Sequence, residues 1–176
     1  GLKIIKMNKK MLQFGFCALV ATFSISKTMA QETYPRFGLG FQASFPAVGL
    51  SAKAEITAEH TAQAVVGILG PFSSYYGRYN YNFPEKNPSE NVLYKPYLYA
   101  QAGYYVYDFD KYLGISTGLK QENSLGYGLG AGLEWAYKPF SKDFKFSSEI
   151  GYSKVNFEYY HFKSITFGVG LHYYFN

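Results

Sequence analysis

The sequence predicts an all-β protein, an eight-stranded antiparallel up-and-down transmembrane β-barrel. Three observations support this prediction. The 176 residues include 19 Tyr, 16 Phe and 18 Gly but only three Met, a composition typical of strands and turns rather than helices. Eight segments alternate between apolar and polar residues with a period of two, as strands do. The apolar set is also too bulky for the interior of a small barrel.

The first 30 residues are predicted to be a signal peptide with a few upstream residues, and residues 31–176 to be the barrel domain. Lys9 and Lys10 precede a mostly apolar run from Leu12 to Ile25, and Ala30 offers a small residue at the cleavage point. This is the layout of a secretory signal. A membrane anchor is the alternative, but a spanning helix needs about 20 apolar residues. The chain is therefore expected to be exported.

The predicted signal peptide holds the entire excess positive charge of the sequence. It contains five Lys and no acidic residue, so the 17 basic residues of the full chain fall to 12, which equal the 12 acidic ones. A neutral mature chain gives no electrostatic basis for binding nucleic acid. Cys17 lies in the same segment, so the mature chain is expected to have no disulfide and no thiolate metal site.

Each of the first four predicted strands ends where turn residues interrupt the alternation. In the first, 37–45, Phe and Leu alternate with Gly, Gln and Ser until a Pro follows. The second, 48–58, alternates Val, Leu, Ala and Ile with Gly, Ser, Lys and Glu. The third, 62–69, has Ala, Val and Ile on one face and ends before a Gly-Pro pair. The fourth, 75–83, alternates Tyr and Phe with Arg and Asn.

The last four predicted strands are longer and show the same period. The fifth, 93–106, follows a turn rich in Pro and Asn, and the sixth, 125–137, has Gly at every second position of its first half. The seventh, 144–153, follows a Lys-Pro turn, and the eighth is 164–175. Because a closed barrel has no free edge, the eighth strand is expected to pair with the first.

The polar face of these strands is predicted to point inward and the bulky apolar face outward. A soluble barrel packs its large apolar residues inside, whereas a membrane barrel reverses this arrangement. Eight strands leave an interior only wide enough for side chains to fill, which suits the Gly-rich face. Aromatic residues near the strand ends fit the belts of membrane interfaces. The predicted interfacial aromatics are Tyr94, Tyr104, Trp135, Tyr137, Tyr173 and Phe175. A secreted soluble barrel with a small apolar ligand is an alternative.

Charged residues on the inward face are predicted to pair with one another, because an unpaired charge in a narrow lumen is costly. The predicted lumen charge network consists of Lys53, Glu55, Arg78, Lys95, Glu134, Lys145 and Glu149. In one interpretation the network fills the barrel and blocks diffusion. In the alternative it lines a narrow channel for ions or small solutes. The small diameter of an eight-stranded barrel favours the first interpretation.

No catalytic residue, cofactor or metal site is predicted. His161 lies near Ser164 and Glu158, so a Ser-His-acid arrangement is conceivable, but no motif supports it. A lipid-modifying barrel enzyme is therefore kept only as a second alternative. No two His have metal-ligand spacing. The longest loop, near 108–123, is the candidate surface for recognition, since loops on rigid scaffolds often carry binding. Its candidate binding residues are Phe109, Lys111, Tyr112 and Ile115.

Four stretches resemble a known group of proteins. They are "PYLYAQAGYYVYD", "GYGLGAGLEWAY", "EIGYSKVNF" and the terminal "FGVGLHYYFN", and with them residues 31–176 resemble the small eight-stranded outer-membrane barrels of the OmpA/OmpX type, especially the broadly named "outer membrane beta-barrel protein" family. The resemblance implies a porin-like architecture in the outer membrane of a Gram-negative bacterium, a monomer with periplasmic termini, and a structural or surface-interaction role.

The same resemblance implies partners for the chain. They are outer-membrane lipids around the barrel and the barrel-insertion machinery, which reads the C-terminal strand. Tyr173 and Phe175 resemble the terminal signal of the family, although Asn176 follows where the family commonly ends on Phe. An extracellular ligand is not identified by any motif.

Overall fold

A computed structural model describes residues 34–45, 47–69, 72–108, 121–157 and 161–175. Nine strands cover most of these residues, and no helix among them has the length and apolar character needed to cross a membrane. The strands are β1 (Arg36–Ser44), β2 (Ala47–Glu55), β3 (His60–Leu69), β4 (Phe72–Asn82), β5 (Lys86–Ser89), β6 (Val92–Tyr107), β7 (Glu122–Tyr137), β8 (Phe144–Asn156) and β9 (His161–Phe175).

The eight long strands form a closed antiparallel barrel in up-and-down order. Each pairs with its neighbour in the chain, and β4 pairs with β6 because the short β5 lies outside this order. Strand β9 closes the barrel on β1, with Phe37 opposite Phe175 and Ser44 opposite Gly168. These pairings confirm the predicted all-β class, the eight-stranded barrel and the pairing of the last strand with the first.

Alternation along each strand separates an apolar outer wall from a polar interior. On β7, Leu125 and Leu129 are 75% and 62% exposed on the outside, whereas Gly128 and Glu134 are buried on the inside. The same alternation of exposed and buried residues runs along β2. Successive side chains of a strand point to opposite faces, so the sequence alternation maps directly onto the two sides of the wall.

The turn between β2 and β3 begins earlier in the chain than the alternation predicted. Strand β2 ends at Glu55, three residues before the predicted end. The reason is a local hydrogen-bond pattern, in which the Thr57 hydroxyl accepts from the backbone N–H groups of Glu59 at 3.3 Å and His60 at 3.2 Å. Short polar side chains commonly bond nearby backbone groups in this way and stop a strand.

Several strands extend beyond the predicted ends into polar residues. Strand β7 begins at Glu122, β8 runs to Asn156 and β9 begins at His161. The added residues keep the backbone ladder, with Lys154 opposite Lys163 and Asn156 opposite His161. The predicted turn at 83–92 also contains β5, which pairs with the start of β6. Hydrophobic alternation did not mark these positions because their outward side chains are polar.

Candidate functional site

The barrel interior is the place where charged and polar side chains converge. Two names describe its ends. The terminal end is where β1 begins and β9 ends, and the far end is where β1 ends and β9 begins. Inward residues form an ion-pair cluster at the terminal end, an arginine–glutamate pair in the middle and an apolar cluster at the far end.

The terminal-end cluster joins side chains from four strands, β2, β6, β7 and β8. Lys53 Nζ lies 2.8 Å from Glu134 Oε2, and Lys145 Nζ lies 3.3 Å from Glu134 Oε1. Glu55 Oε1 receives the other contacts, 3.0 Å from Lys95 Nζ and 3.6 Å from Lys145 Nζ. All five side chains are buried. Three ammonium groups therefore share two carboxylates.

Two further charges close this cluster toward the terminal end. Arg36 Nη1 lies 3.7 Å from Glu55 Oε2, and Arg36 Nη2 lies 3.3 Å from Asp143 Oδ1. The buried Tyr174 hydroxyl donates to Glu134 Oε2 at 3.2 Å. The Arg36–Asp143 and Tyr174–Glu134 contacts are charge-assisted hydrogen bonds, whereas Glu55 Oε2 is buried and accepts no hydrogen bond from a described residue.

The middle of the barrel is organised around one ion pair. Arg78 Nη1 lies 2.6 Å from Glu149 Oε1, and the Tyr97 hydroxyl donates to the same oxygen at 2.5 Å. The Gln101 carbonyl accepts from Arg78 Nε at 3.0 Å and from Nη2 at 2.6 Å. The guanidinium also lies 4.1 Å from the centre of the Tyr99 ring. Arginine suits this position because its planar group can bond several acceptors and stack on an aromatic ring.

A chain of neutral polar groups connects the middle of the barrel to the terminal end. Gln42 donates to Glu149 Oε2 at 3.1 Å, and Gln63 donates to Gln42 at 3.2 Å. Gln63 also donates to Ser51 at 2.8 Å, and His172 Nε2 lies 2.8 Å from the same hydroxyl. Hydrogen bonds thus link side chains of β1, β2, β3, β8 and β9 across the interior.

The far end of the interior holds an apolar cluster as well as the buried Glu122. The Tyr76 and Tyr105 rings stack there with centroids 6.1 Å apart and an interplanar angle of 9°, and the exposed Phe45 packs on the buried Phe162 with ring centroids 5.4 Å apart. Tyr107 is partly buried against the same group. The buried members of this far-end cluster are Ala47, Val65, Tyr76, Tyr105, Val155, Phe157 and Phe162.

The alternating glycines of β7 make room for inward tyrosines. A Cβ added at Gly130 would lie 2.6 Å from the Tyr99 ring, and one added at Gly126 would lie 2.8 Å from the Tyr105 ring. Both distances are shorter than real side-chain contacts allow. The tyrosine rings of β6 therefore pack against the glycines on the inner face of β7. A side chain at these glycine positions would displace the rings that fill the barrel.

The structure divides the seven residues predicted for the lumen into two groups. All seven lie in the interior. Glu134 and Glu149 are on neighbouring strands, yet Glu134 belongs to the terminal-end cluster and Glu149 pairs with Arg78. Sequence analysis missed Arg36 and Asp143. Arg36 stands two residues before the inward Gly38, so the period of the strand could have identified it. Asp143 follows a turn and had no such signal.

The six aromatic residues predicted for the interfaces point outward, but they are unequally distributed. Five of them lie at the terminal end, where Trp135 stacks on Phe146 with centroids 4.7 Å apart and Tyr173 packs on Phe175 at 5.3 Å. Tyr104 lies near the far end, opposite Tyr75. The five at the terminal end are Tyr94, Trp135, Tyr137, Tyr173 and Phe175. The predicted binding residues Phe109, Lys111, Tyr112 and Ile115 lie outside the described residues.

The described residues bring no metal site or triad together. Within the described ranges, no three His, Cys, Asp or Glu side chains are grouped so that they could hold a metal ion. His161 is opposite Asn156, and the Ser164 hydroxyl donates to the Ile165 carbonyl at 2.9 Å. Glu158, the acid considered for the Ser-His-acid arrangement, lies outside the described residues.

Comparison with known proteins shows the fold. No family model matches the chain, and no curated protein sequence matches it. The N-terminal β-barrel domain of Pseudomonas aeruginosa OprF is 14% identical, with a TM-score of 0.51 over 80% of this chain and 96% of that one. Ail, the attachment invasion locus protein of Yersinia pestis, is 16% identical, with a TM-score of 0.29 over 80% and 97% of the two chains. The match to the OprF domain shows that this chain shares its β-barrel fold.

Proposed function

We propose that this protein is an integral outer-membrane β-barrel with a structural or surface-interaction role and a filled, ion-paired interior. The proposal rests on one observation: charged side chains are buried inside the barrel, and large apolar side chains are exposed on its outer wall. The side chains of Arg78 and Glu149 are 0% and 1% exposed, whereas Phe167 is 71% exposed. Soluble monomers rarely expose continuous apolar patches larger than a few hundred Å². Hydrocarbon is the solvent that suits this outer surface.

The backbone supports the same proposal. A chain in hydrocarbon must pair its N–H and C=O groups internally, which a closed barrel does because it has no edge strands. Strand β9 pairs with β1 over Phe37–Ser44, and β8 pairs with β9 over Phe144–Asn156. The wall is thus closed where the first and last strands meet, at the point where an open sheet would expose unpaired groups.

The outer membrane is the proposed location, with outer-membrane lipids as the surrounding partners. A predicted signal peptide in residues 1–30 would direct export, and the shared fold with the OprF barrel domain agrees with this location. We propose a monomer with periplasmic termini that is inserted by the barrel-insertion machinery through its C-terminal strand. No nucleic acid is proposed as a partner, and a surface ligand would be expected at the far-end loops.

A narrow channel is the second candidate function. Three ammonium groups share two carboxylates at the terminal end. In addition, Asn80 Oδ1, Ser147 Oγ and His172 Nδ1 are buried without a hydrogen-bond partner among the described residues. Polar atoms of this kind would suit the entry of water. The stacked rings at the far end argue against free passage, so we place conduction second.

Fractionation tests membrane integration. We expect the mature protein to remain with outer membranes after washing in high salt and to be released only by detergent. On gels it should migrate faster unheated than boiled, as closed barrels do. Recovery from the soluble periplasm without detergent would refute the proposal. An unchanged lipid profile after gene deletion would support the absence of a catalytic role, and an altered profile would favour a lipid-modifying enzyme.

Planar-bilayer recording separates the filled barrel from the channel. The filled barrel predicts no discrete openings for the wild-type protein. Discrete openings that change in Glu134→Ala or Lys145→Ala would favour the channel. Glu59→Ala is the matched control for Glu134→Ala. It removes the same negative charge, but from the exposed β2–β3 turn and not from the interior.

A further inference from the structure

We infer that Lys154 and Lys163 form a binding site on the outer wall, near the far end, for the phosphate of a lipid headgroup. This inference rests on the proposed function, because a lipid can reach the wall only if the barrel lies in a membrane. It goes further by naming the lipid chemistry and the two residues that recognise it.

These two lysines place charge on an outer wall that is otherwise free of charged side chains in the described parts of the eight long strands. In the described parts of the eight long strands, they are the only Lys, Arg, Asp or Glu residues whose side chains point outward. The other charged residues of those strands lie on the inward face. They are Arg36, Lys53, Glu55, Arg78, Lys95, Glu122, Glu134, Lys145 and Glu149. Within those strands, the outer wall therefore carries two positive charges and no negative charge.

The two lysines face each other directly. Lys154 on β8 is the cross-strand partner of Lys163 on β9, and like charges in this position destabilise a sheet. Neither side chain forms an ion pair with a described residue. An anion between the two ammonium groups would turn the repulsion into attraction. Tyr127 is opposite Lys154 on its other side, and its hydroxyl is a further donor for phosphate oxygens.

The height of the pair on the wall fits a headgroup. Ten residues separate Lys154 from Phe144 at the start of β8. A rise of about 3.3 Å per residue and a tilt of about 40° place the lysines about 25 Å above that end. This distance matches the height of the apolar band of membrane barrels. The lysines therefore lie at the upper boundary of the band, where lipid phosphates are found.

The surface below the pair fits acyl chains. The next cross-strand pairs toward the terminal end are Tyr152 with Ile165 and Ile150 with Phe167. Ile165 and Phe167 are both well exposed. A phosphate next to an apolar strip is the chemistry of an anionic lipid rather than of a free phosphate ester, which would gain nothing from the strip.

Native mass spectrometry of the full barrel in detergent tests affinity for phosphatidic acid against phosphatidylcholine. The wild-type protein should bind phosphatidic acid more tightly. Replacing both lysines, K154Q with K163Q, should weaken that binding about 30-fold at low salt, because each basic residue near a lipid surface contributes a few-fold. Glycerol phosphate should not compete. K86Q with K138Q is the matched control, since it removes two exposed lysines at the terminal end, and it should change the affinity far less.

A second measurement compares the stability of the double variant in two kinds of vesicle. If the lysines had only a structural role, the change in stability would have the same sign in both. In phosphatidylcholine vesicles, K154Q with K163Q should resist guanidinium chloride at least as well as the wild-type barrel, because a repulsion is removed. In vesicles that also contain phosphatidic acid, the same variant should be less resistant than the wild-type barrel. Equal loss of stability in both vesicles would overturn the inference, as would equal loss of phosphatidic acid binding in the test and control variants.

The two proposals fail in different ways. If the wild-type chain inserts into neither kind of vesicle, the proposed membrane function is wrong. If it inserts into both and binds phosphatidic acid no more tightly than phosphatidylcholine, only the lipid site is wrong.

Discussion

Replacing Glu149 by Leu should strongly destabilise the barrel. Glu149 accepts hydrogen bonds from four side chains, and it is the ion-pair partner of Arg78 at 2.6 Å. Both side chains are essentially inaccessible to water. Arginine cannot lose its proton in a protein, so the variant would leave a full charge in the interior. The four donors are Gln42, Ser44, Arg78 and Tyr97.

The magnitude follows from the burial of this pair. Breaking a buried ion pair by removing one partner costs about 3–5 kcal/mol. Replacing both partners by apolar residues is often neutral or stabilising, so Arg78→Met combined with Glu149→Leu should recover most of the loss. Arg78→Met alone should lie near the lower limit of that range, because Glu149 keeps three neutral hydrogen-bond donors.

Guanidinium chloride unfolding in detergent micelles can measure these differences. Trp135 is the single tryptophan of the sequence, and it lies on the outer wall, so its emission should shift to longer wavelength as the barrel unfolds into water. With a slope of about 4 kcal/mol/M, Glu149→Leu should lower the midpoint by about 1 M. Ser148→Ala on the exposed face of β8 is the control. If the double variant is as unstable as the sum of the single variants, the reasoning is refuted.

Two further predictions test the inward glycines of β7 and the apolar outer wall. Gly130→Ala should lower stability by about 1–3 kcal/mol because its methyl group would overlap the Ile150 carbonyl oxygen and the Tyr99 ring, while Gly77→Ala, which has nothing within 4 Å, should change it little. Both can be measured by the same unfolding assay, and equal effects would contradict the packing argument. Leu133→Arg, opposite Ser148 and near the middle of the apolar band, should cost about 2–4 kcal/mol in vesicles, against about 0–1 for Leu125→Arg nearer the far end. A neutral Leu133→Arg would contradict a lipid-facing wall.

The direction of each side chain was predictable because the period of a strand is two. Once a segment is a strand, one known inward residue fixes the rest. On β7, the inward glycines determine that Glu134 points into the barrel and Trp135 away from it. The same rule correctly predicts that Lys154 points outward, although the predicted seventh strand, 144–153, ended one residue before it. Burial is therefore encoded locally and needs no knowledge of the neighbouring strands.

The ends of the strands were less predictable. Strand β2 stops where the Thr57 hydroxyl bonds the backbone, a contact that alternation of hydrophobicity does not record. Strands β8 and β9 continue through Lys154 and Lys163 because ladder hydrogen bonds do not depend on side-chain polarity. Hydrophobic patterning identifies the part of a strand whose outward side chains are apolar, so it misses the parts whose outward side chains are polar.

The sequence by itself determined the number of long strands, their order and the side of the wall on which each of their charges lies, because these follow from alternation and from short turns. Only the tertiary structure decided the partners of each charge. Lys53 and Glu134 are 81 residues apart on β2 and β7, and they meet because closure brings distant strands face to face across a narrow interior. The offset between strands around the barrel sets which inward residues share a level. That offset is a property of the closed sheet, and no single segment contains it.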